Sequence, residues 1–471
     1  MGILGQYLNS LKGKRIAVLG AGISNTPLID VLLSAGIDTT VRDKRSLDEL
    51  GDSILGFKDK GAMFKLGEDY LYGLNEDIIF RTPGLMPTNP AVNEAVKNGA
   101  MLTSEMEAFF DICPCKTIAV TGSDGKTTTT SIIAKLLENE GKTVHTGGNI
   151  GTPLLCRVDE MKPDDIAVIE LSSFQLITME KSPNIAVVTN LSPNHLDVHT
   201  DMEEYIFAKS NIFMHQGRSD RAVFNIDNEL TFDYSKTAPA GEILFFSRHG
   251  PVKNGMFLKD GMIYESVDDK ITEMMKADEI TLPGIHNVEN YLAAFTAVTG
   301  IVSHDMMRKT AVDFQGVEHR IEFVRELRGI RYYNDSIASS PSRAIAGIRA
   351  LSKPETERRI ILVAGGKDKG IAFDDFGDEV VKQVKTLVLT GAAVDMIFKS
   401  VTQTDGYNEA VESHGFKTVK CDDFEKAVIT ASKLAEEGDT VLLSPACTSF
   451  DKFRNFEERG NVFKDIINRL V

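Results

Sequence analysis

Short apolar runs that end in turns of glycine or polar residues recur along this chain, and stretches with helical periodicity lie between them. Residues 116–129, KTIAVTGSDGKTTT, show this pattern most clearly. An apolar, β-branched run ends in a glycine turn, and the helical pattern SIIAKLLENEG follows. Strands that alternate with helices predict parallel sheets covered by helices, which is an α/β fold. The chain divides into three such blocks, at 1–104, 105–316 and 317–471.

The first block opens like a Rossmann-like domain. A predicted strand over 14–22 (KRIAVLGAG) enters a glycine turn, a helical pattern follows, and a second predicted strand ends at Asp43. Gly20 and Gly22 suit a tight turn close to a pyrophosphate. Asn25 stands where the G-x-G-x-x-G fingerprint has its third glycine. The incomplete fingerprint leaves both NAD and any nucleotide diphosphate open as ligands.

The glycine turn of the second block predicts a phosphate-binding loop. Backbone N–H groups over 122–125 would surround a phosphate at a helix N-terminus, where unpaired donors and the helix dipole favour anions. Lys126 would reach the terminal phosphates, and the Thr127 hydroxyl would bind Mg²⁺. The loop is a shorter form, because Val120 stands where the strict P-loop pattern has its first glycine. The alternative is a plain glycine turn with one incidental lysine.

Two further predicted strands of this block carry candidate metal ligands. They run over 165–176 and 184–199. Glu170 occupies the place where a P-loop fold holds Mg²⁺, and the alternative is a surface acid at a strand end. His195 is close to a second histidine and an acid, which could mark zinc, but the oxygen-rich surroundings favour a partner of Mg²⁺. We expect His199 to be an ordinary loop histidine.

A helix predicted over 284–298 carries two amide side chains near its start. Asn287 and Asn290 are separated by three residues, so they share one face of the helix. Such amides either bind bases or cap the helix, and capping remains an alternative for Asn287.

The third block repeats a doubly wound pattern of strands and helices. Two loops that follow strands, over 364–370 and 444–453, carry glycine or polar residues suited to a ligand. The predicted strands of this block run over 329–336, 358–366, 384–391, 416–421 and 439–445.

The composition of the chain limits the kinds of partner that we expect it to bind. The 471 residues include 68 acidic and 52 basic residues, giving a net charge of −16. Such a chain repels nucleic acid and anionic membranes, so we expect neither as a partner. No apolar run reaches the ~20 residues that span a bilayer, and the N-terminus lacks the pattern of a signal peptide. Five scattered cysteines favour free thiols in the cytoplasm, and we expect a monomer.

Motifs along the whole chain resemble, in their order, those of the Mur ligases. They are GSDGKTT, GGNIGTPL, ELSSFQL, NLSPNHLDVH, YIFAKSNIF, PGIHNVEN, EHRIE, NDSIAS and SPACTSFDKFRNFEERG. ELSSFQL and the last motif look like those of the members that add D-glutamate. The chain lacks the Asp-Asn-Pro-Arg motif of the members that add diaminopimelate. The resemblance implies three domains: an N-terminal Rossmann-like domain for a UDP substrate, a central P-loop mononucleotide-binding sheet for ATP, and a C-terminal Rossmann-like domain for the amino acid.

The resemblance implies an ATP-dependent ligase of cytoplasmic peptidoglycan precursor synthesis. Its substrates would be UDP-N-acetylmuramoyl-L-alanine and D-glutamate. The substrate carboxylate attacks the γ-phosphate of ATP to give an acyl phosphate, and the amine of D-glutamate then displaces phosphate. Catalysis of this kind depends mostly on positioning and on neutralising phosphoryl charge with lysine and Mg²⁺.

The resemblance also assigns roles to individual positions. It implies that Thr127 and Glu170 bind a first Mg²⁺, and that His195 and Lys209 bind a second. In the family this lysine is carbamylated, since a neutral amine takes up CO₂ and becomes an anionic oxygen ligand. An ordinary helix-surface lysine is the alternative. The catalytic residues implied are Lys126, His195 and Lys209; the ATP-binding residues are Gly122, Ser123, Asp124, Gly125, Lys126, Thr127, Thr128, Asn287, Asn290, Arg320 and Asp335.

The substrate contacts implied by the resemblance fall into three groups. Ser24, Asp43 and Arg45 match the region that holds the UDP part. The remaining contacts are Asn149, Ser172 and Gln175 for the muramoyl peptide, and Lys369, Ser449 and Phe456 for D-glutamate.

One position departs from the family pattern. Where the family has N-D-S-K-A-T-N, this chain has Ile337 in place of the lysine, and Arg343 is a candidate replacement for its charge.

Three alternative functions compete with ligation. An NAD-dependent oxidoreductase, built on the N-terminal glycine turn, leaves the phosphate loop unexplained. A folylpolyglutamate synthase gives no reason for the Rossmann-like domain at 14–104. A non-catalytic nucleotide-binding regulator is opposed by the joint presence of Lys126, Glu170, His195 and Lys209.

Overall fold

Each of the three sequence blocks contains one β-sheet, and helices connect many of its strands. The predicted α/β class is therefore confirmed. The computed structural model describes residues 1–22, 24–50, 52–149, 151–193, 198–352, 357–368 and 372–470. The residues form two compact units, one of Met1–Ile280 with His286–Val312 and one of Thr281–Ile285 with Asp313–Val471. The block boundaries after residues 104 and 316 remain predictions.

The N-terminal sheet has Rossmann-like topology. Its strands are β1 (Ile16–Leu19), β2 (Thr39–Asp43), β3 (Met63–Leu66), β4 (Ile78–Arg81) and β5 (Met101–Thr103). All pair in parallel, in the order β3-β2-β1-β4-β5. The order reverses beside β1, which is where doubly wound folds bind ligands. Gly20 turns the chain there with a φ of 86°, and a Cβ on it would come within 3.0 Å of the Thr82 side chain.

The central sheet brings three strand ends to the phosphate loop. Its strands are β6 (Lys116–Thr121), β7 (Val144–Gly148), β8 (Ile166–Glu170), β9 (Ile185–Val188), β10 (Arg221–Asn225), β11 (Glu242–Ser247), β12 (Gly255–Lys259), β13 (Met262–Val267) and β14 (Lys270–Lys276). Their order is β14-β13-β12-β11-β10-β9-β6-β8-β7; the β12–β13 and β13–β14 pairs are antiparallel, and the other pairs are parallel. Because β6 lies between β9 and β8, the carboxyl ends of these parallel strands meet around the loop.

Two strands of this sheet are shorter than the sequence predicted. The strand expected over 165–176 ends at Glu170, and the one expected over 184–199 ends at Val188. Ser172 and Gln175 form a capping box that starts a short helix, so the first strand cannot continue. Strands β10 to β14 were not among the predicted elements.

The C-terminal sheet is also doubly wound. Its strands are β15 (Glu322–Leu327), β16 (Ile330–Asn334), β17 (Ile360–Ala364), β18 (Val384–Leu389), β19 (Lys417–Lys420) and β20 (Thr440–Leu443). The order is β15-β16-β20-β17-β18-β19, and β15 alone among them runs antiparallel to its neighbour. The five predicted strands are confirmed. The edge strand β15 was missed, because three of its six residues are charged.

Helices cover the three sheets. They are α1 (Ile3–Ser10), α2 (Asn25–Ser34), α3 (Leu47–Leu50), α4 (Asp52–Asp59), α5 (Pro90–Lys97), α6 (Glu105–Ile112), α7 (Lys126–Asn139), α8 (Ser173–Leu176), α9 (Met202–Met214), α10 (Glu229–Ser235), α11 (Ile285–Val298), α12 (His304–Asp313), α13 (Pro341–Leu351), α14 (Asp374–Gln383), α15 (Val394–Gln403), α16 (Tyr407–His414), α17 (Phe424–Leu434) and α18 (Phe456–Arg469). Two 3₁₀ turns occupy Leu155–Glu160 and Ala277–Glu279. Among the described helices, none is long and apolar enough to cross a membrane.

A buried ion pair fixes one loop of the N-terminal sheet. Arg42 on β2 is fully buried, and its guanidinium donates to both carboxylate oxygens of Glu76 at 3.0 Å. It also donates to the backbone carbonyls of Tyr70, Tyr72 and Gly73. One side chain therefore satisfies five acceptors in the segment between β3 and β4.

We expect Arg42→Met to destabilise the protein by about 3–5 kcal/mol, because it leaves the Glu76 charge buried without a partner. Urea unfolding of the purified variant measures this loss. The control is Arg15→Met, since Arg15 pairs with Asp77 at 2.9 Å on the surface. That change should cost at most about 1 kcal/mol. Equal unfolding midpoints for the two variants would contradict a structural role for the buried pair.

Candidate functional site

The turn between β6 and α7 has the geometry of a phosphate loop. Gly122 and Gly125 have positive φ angles of 150° and 78°, which side chains disfavour. A Cβ on Gly122 would collide with the Thr189 hydroxyl, and one on Gly125 with the Asn290 amide. Glycine at these two positions allows neighbouring polar groups to approach the loop backbone. The alternative of an incidental glycine turn does not account for this enclosure.

The loop is held from outside by the segment that follows β9. The N–H of Ser123 donates to the Asn190 carbonyl at 2.8 Å, and that of Asp124 to the Asn190 side chain at 2.9 Å. The Thr189 hydroxyl donates to the Asp124 carbonyl at 2.6 Å. Sequence reasoning missed Thr189 and Asn190, although the NLSPNHLDVH motif contains Asn190. Their contacts fix the loop before any ligand binds.

Lys126, the first residue of α7, lies against the loop that precedes it. Its ammonium donates to the carbonyls of Gly122 and Ser123, both at 2.9 Å. The Lys126 ammonium, which the sequence predicted to reach the terminal phosphates, therefore lies at the phosphate loop.

The two amides of α11 also reach the loop. Asn290 accepts a hydrogen bond from the Thr129 hydroxyl at 3.3 Å, and its own amide donates to Asn287 at 3.1 Å. The structure therefore brings Asn290 to the first turn of α7, where Thr127 and the buried Thr128 also lie, while Asn287 is linked to this turn through Asn290.

Glu170 is a buried carboxylate at the end of β8, next to the phosphate loop strand. It is 1% exposed, so the alternative of a surface acid is wrong. Oε1 accepts a hydrogen bond from the Asn149 amide at 2.7 Å. Among the described residues, none donates to Oε2, which is also buried. A buried oxygen of this kind calls for a cation, and Mg²⁺ prefers a few carboxylate or hydroxyl ligands together with phosphate and water.

No group of three His, Cys, Asp or Glu side chains forms a metal cage within the described residues. His195, predicted as a ligand, lies outside the described residues, as does Lys369.

Lys209 on α9 is buried against the phosphate loop, so the alternative of a helix-surface lysine is wrong. Its amine donates to the Gly122 carbonyl at 2.8 Å and to the Thr121 hydroxyl at 3.3 Å. Burial, and secondly the charge of Lys126, lower the pKa of Lys209 well below its ordinary value. Glu170 and Asp124 act in the opposite direction. The net direction favours the neutral amine, which is the form that reacts with CO₂.

His199 is not the ordinary loop histidine that the sequence predicted. Its side chain is fully buried, and its ring packs between those of Phe174 and Tyr205. The expectation failed because the contacts that bury it come from α8 and α9, which local sequence does not reveal.

The residues assigned to the UDP part gather at the turn after β1. The Asp43 carboxylate accepts hydrogen bonds from Arg45 at 2.7 and 2.9 Å and from the Ala21 N–H at 2.7 Å. Burial alone would raise the pKa of Asp43, but these hydrogen bonds outweigh it and hold the pKa below its usual value. Ser24 immediately precedes α2. Contact with a ligand remains a prediction for all three predicted residues.

The residues assigned to the muramoyl peptide lie beside Glu170. Asn149 bonds the Glu170 side chain, and Ser172 and Gln175 cap α8 two residues further on. The N–H of Ser172 donates to Gln175 Oε1 at 3.0 Å. Asn149 therefore contacts the Glu170 carboxylate, and Ser172 and Gln175 lie in the segment that follows it. That these three residues contact the substrate remains a prediction.

Asp335 is buried at the end of β16, in the second compact unit. Its carboxylate accepts hydrogen bonds from the Ser444 hydroxyl at 2.7 Å and the Ile321 N–H at 3.2 Å. Burial raises the pKa of Asp335 to about 7, although these bonds and the charges of Arg320 and Arg343 act against it. Arg343, which the sequence offered as a substitute for the lysine lost at Ile337, therefore acts electrostatically on this site. That Arg343 supplies the charge of the lysine missing at Ile337 remains a prediction.

Phe456, assigned to D-glutamate, begins α18, and the same helix carries a buried arginine that sequence reasoning missed; Ser449, assigned likewise, lies in the loop after β20. Arg459 on α18 is 2% exposed and donates to the carbonyls of Ser336 and Cys447. Its position in the FRNFEERG part of the last motif was the available signal. It joins the loop after β16 to the loop after β20.

Comparisons with known proteins agree with this arrangement. The Mur ligase middle domain model matches residues 120–298, and the Mur ligase glutamate ligase domain model matches residues 319–447. The chain is similar to UDP-N-acetylmuramoylalanine--D-glutamate ligase of Ruminiclostridium cellulolyticum, with 47% identity over 472 residues and 99% of each chain covered. Identity to the Acetivibrio thermocellus protein of the same name is 47% over 471 residues, again with 99% of each covered.

A solved structure supports the fold as well. UDP-N-acetylmuramate-alanine ligase from Thermotoga maritima matches with a TM-score of 0.56 and 17% identity, covering 97% of this chain and 99% of that one. At this identity the likeness concerns the fold alone.

The raised pKa of Asp335 predicts a pH-dependent stability. Between its unfolded pKa of about 3.9 and its folded pKa of about 7, the folded protein keeps a proton that the unfolded chain has lost. Stability from this group is therefore lost as pH rises towards and through the folded value.

We expect Asp335→Asn without nucleotide to raise Tm relative to the wild type at about pH 8.5, and less so at about pH 5.5. Scanning calorimetry across this range measures the difference. The control is Asp465→Asn on the exposed side of α18, which should shift Tm equally at both pH values. A Tm difference for Asp335→Asn that does not change with pH would contradict the raised pKa.

Proposed function

The chain belongs to the Mur ligase family, and we propose that it joins D-glutamate to UDP-N-acetylmuramoyl-L-alanine, releasing ADP and phosphate from ATP. The enzyme is an ATP-dependent amide ligase of peptidoglycan synthesis. The observation that carries the proposal is the phosphate loop with buried Glu170 and Lys209 at its side. Members of the family that add D-glutamate and members that add diaminopimelate differ in their amino-acid substrate, which a direct assay distinguishes.

The chemistry follows from what the loop and its neighbours offer. An oxygen of the substrate carboxylate attacks the γ-phosphorus, the bond to the ADP oxygen breaks, and an acyl phosphate forms. The amine of D-glutamate then attacks the acyl carbon, phosphate leaves, and the nitrogen loses a proton. The first N–H groups of α7, which lack acceptors within the helix, and Lys126 would hold the phosphates during the first step. The N–H groups of Ser123 and Asp124 already donate to Asn190. No nucleophilic side chain is required, because ATP itself activates the carboxylate.

Mg²⁺ would neutralise phosphate charge when bound. Glu170, with its buried Oε2, and Thr127 at the start of α7 would hold a first ion. We propose that carbamylated Lys209 and His195 hold a second. The amine nitrogen of Lys209 bonds the carbon of CO₂ and loses one proton, which converts a buried base into an anionic ligand.

We propose the remaining substrate contacts because these residues occupy positions that match the motifs of the family. The UDP part would contact Ser24, Asp43 and Arg45, and the muramoyl peptide would contact Asn149, Ser172 and Gln175. D-glutamate would contact Lys369, Ser449 and Phe456. We propose that residues 1–104, 105–316 and 317–471 are the UDP-substrate, ATP and amino-acid domains of a cytoplasmic monomer.

Phosphate release tests the proposed reaction. We expect it to require ATP, Mg²⁺, UDP-N-acetylmuramoyl-L-alanine and D-glutamate together, with L-alanine, L-lysine and diaminopimelate inactive. Lys126→Ala should lower kcat by about 10²–10³-fold, because it removes a charge that stabilises the transferring phosphoryl group. Faster phosphate release with diaminopimelate than with D-glutamate would show that diaminopimelate is the amino-acid substrate. Absence of turnover with every amino acid would favour the non-catalytic regulator.

Lys209→Ala tests the carbamate. We expect an inactive variant that short carboxylates such as acetate or formate partly restore, because they supply the missing oxygen ligands. The matched control is Lys126→Ala, which the same carboxylates should not restore, since it lacks a cation. Wild-type rates for Lys209→Ala in buffer depleted of CO₂ would exclude the carbamate.

A further inference from the structure

His199 lies between two parts of the site that the proposed reaction must align. One is α8, whose capping residues Ser172 and Gln175 are assigned to the muramoyl peptide. The other is the phosphate loop. The side chain of His199 is fully buried although it lies between strand β9 and helix α9, where most side chains would be exposed.

On one side, His199 is fixed to α8. Its imidazole stacks on the Phe174 ring with an interplanar angle of 6° and a centroid distance of 5.3 Å. Nε2 lies 3.0 Å from the Ser173 hydroxyl. A stack and a hydrogen bond to consecutive residues define both the plane and the rotation of the imidazole relative to α8.

On the other side, His199 contacts the support of the phosphate loop. Its ring meets the Tyr205 ring edge-on, at 5.3 Å and 70°. The Tyr205 hydroxyl lies 3.0 Å from Ser123 Oγ in the loop. The Ser123 hydroxyl donates to the Ser192 carbonyl at 3.0 Å, so Tyr205 is the donor of the bond to Ser123.

The far end of α8 is anchored in the N-terminal sheet. Arg81, the last residue of β4, is 1% exposed and donates to the Phe174 carbonyl at 2.7 Å and to the Thr178 hydroxyl at 2.9 Å. A continuous series of contacts therefore runs from the N-terminal sheet through α8 and His199 to the loop.

We propose that His199 is a positioning residue that sets α8 against the phosphate loop, and so aligns the substrate carboxylate with the γ-phosphate. This inference rests on the proposed function, which assigns α8 to the muramoyl peptide. In-line attack tolerates little error, since displacement of a reacting group by about 1 Å can cost ~10²-fold in rate. His199 itself touches neither reactant.

His199→Phe tests this role, because phenylalanine keeps an aromatic ring between Phe174 and Tyr205 but loses the bond to Ser173. We expect kcat to fall by about 10–100-fold. The equilibrium affinity for a non-hydrolysable ATP analogue should stay within about threefold of the wild type, because alignment rather than binding is lost. Hydrogen exchange in the loop at 122–125 should become faster.

Ser173→Ala removes the same hydrogen bond from its other partner and leaves the histidine in place. We expect it to lower kcat as well, and the double variant with His199→Phe to be no slower than His199→Phe alone. Additive losses in the double variant would mean independent roles and would overturn the proposal.

The matched control is His145→Phe. His145 is also buried, and its Nε2 lies 2.9 Å from Asp165, but at the opposite end of the central sheet. This variant should lose stability without the drop in kcat and without faster loop exchange. An equal kcat for the His145 and His199 variants would overturn the proposal. Absence of phosphate release by the wild type would instead refute the proposed function, while loop exchange would still test His199.

Discussion

The close approach of polar groups to the two glycines of the phosphate loop is the constraint on which the rest of the site depends. A Cβ on Gly122 or Gly125 would occupy the space taken by Thr189 and Asn290. These two residues come from the end of β9 and from α11, so the loop joins elements that lie far apart in the chain. With the loop fixed, Lys126 and the first turn of α7 have defined places. Because the N–H groups of Ser123 and Asp124 already donate to Asn190, the donors left for phosphate are those at the start of α7, and their places are set before ATP arrives.

Two buried ionisable groups beside this loop explain why the site needs cofactors. Glu170 has one oxygen bonded by Asn149 and a second without a donor among the described residues. Lys209, on the other side of β6, is driven towards its neutral form by burial. Burying a carboxylate without a cation costs free energy in a folded protein, and so does burying an amine in its charged form. A cation bound beside Glu170 would relieve the cost of its buried charge, and the neutral amine of Lys209 is the form that the proposed carbamylation requires.

The proposed alignment between substrate and nucleotide depends on buried side chains that each contact several partners. His199 lies between the rings of Phe174 and Tyr205, and these belong to α8 and α9. Arg81 plays a comparable part from the N-terminal sheet, and Arg459 joins two loops of the C-terminal sheet. None of these three residues was predicted as functional from sequence. Each satisfies several partners at once, so its importance becomes visible only when those partners are in place.

The sequence by itself determined the α/β class, the phosphate loop, and the strands that lead into the sites at Asp43, Glu170 and Asp335. These features are local: apolar runs, glycines and polar residues at strand ends are adjacent in the chain. The tertiary structure alone decided that Lys209 and His199 are buried, that Asn290 closes on Gly125, and that β9 ends at Val188. These depend on contacts between residues that are distant in sequence. Burial and its effect on charge are properties of the packed neighbourhood, and no single segment contains that information.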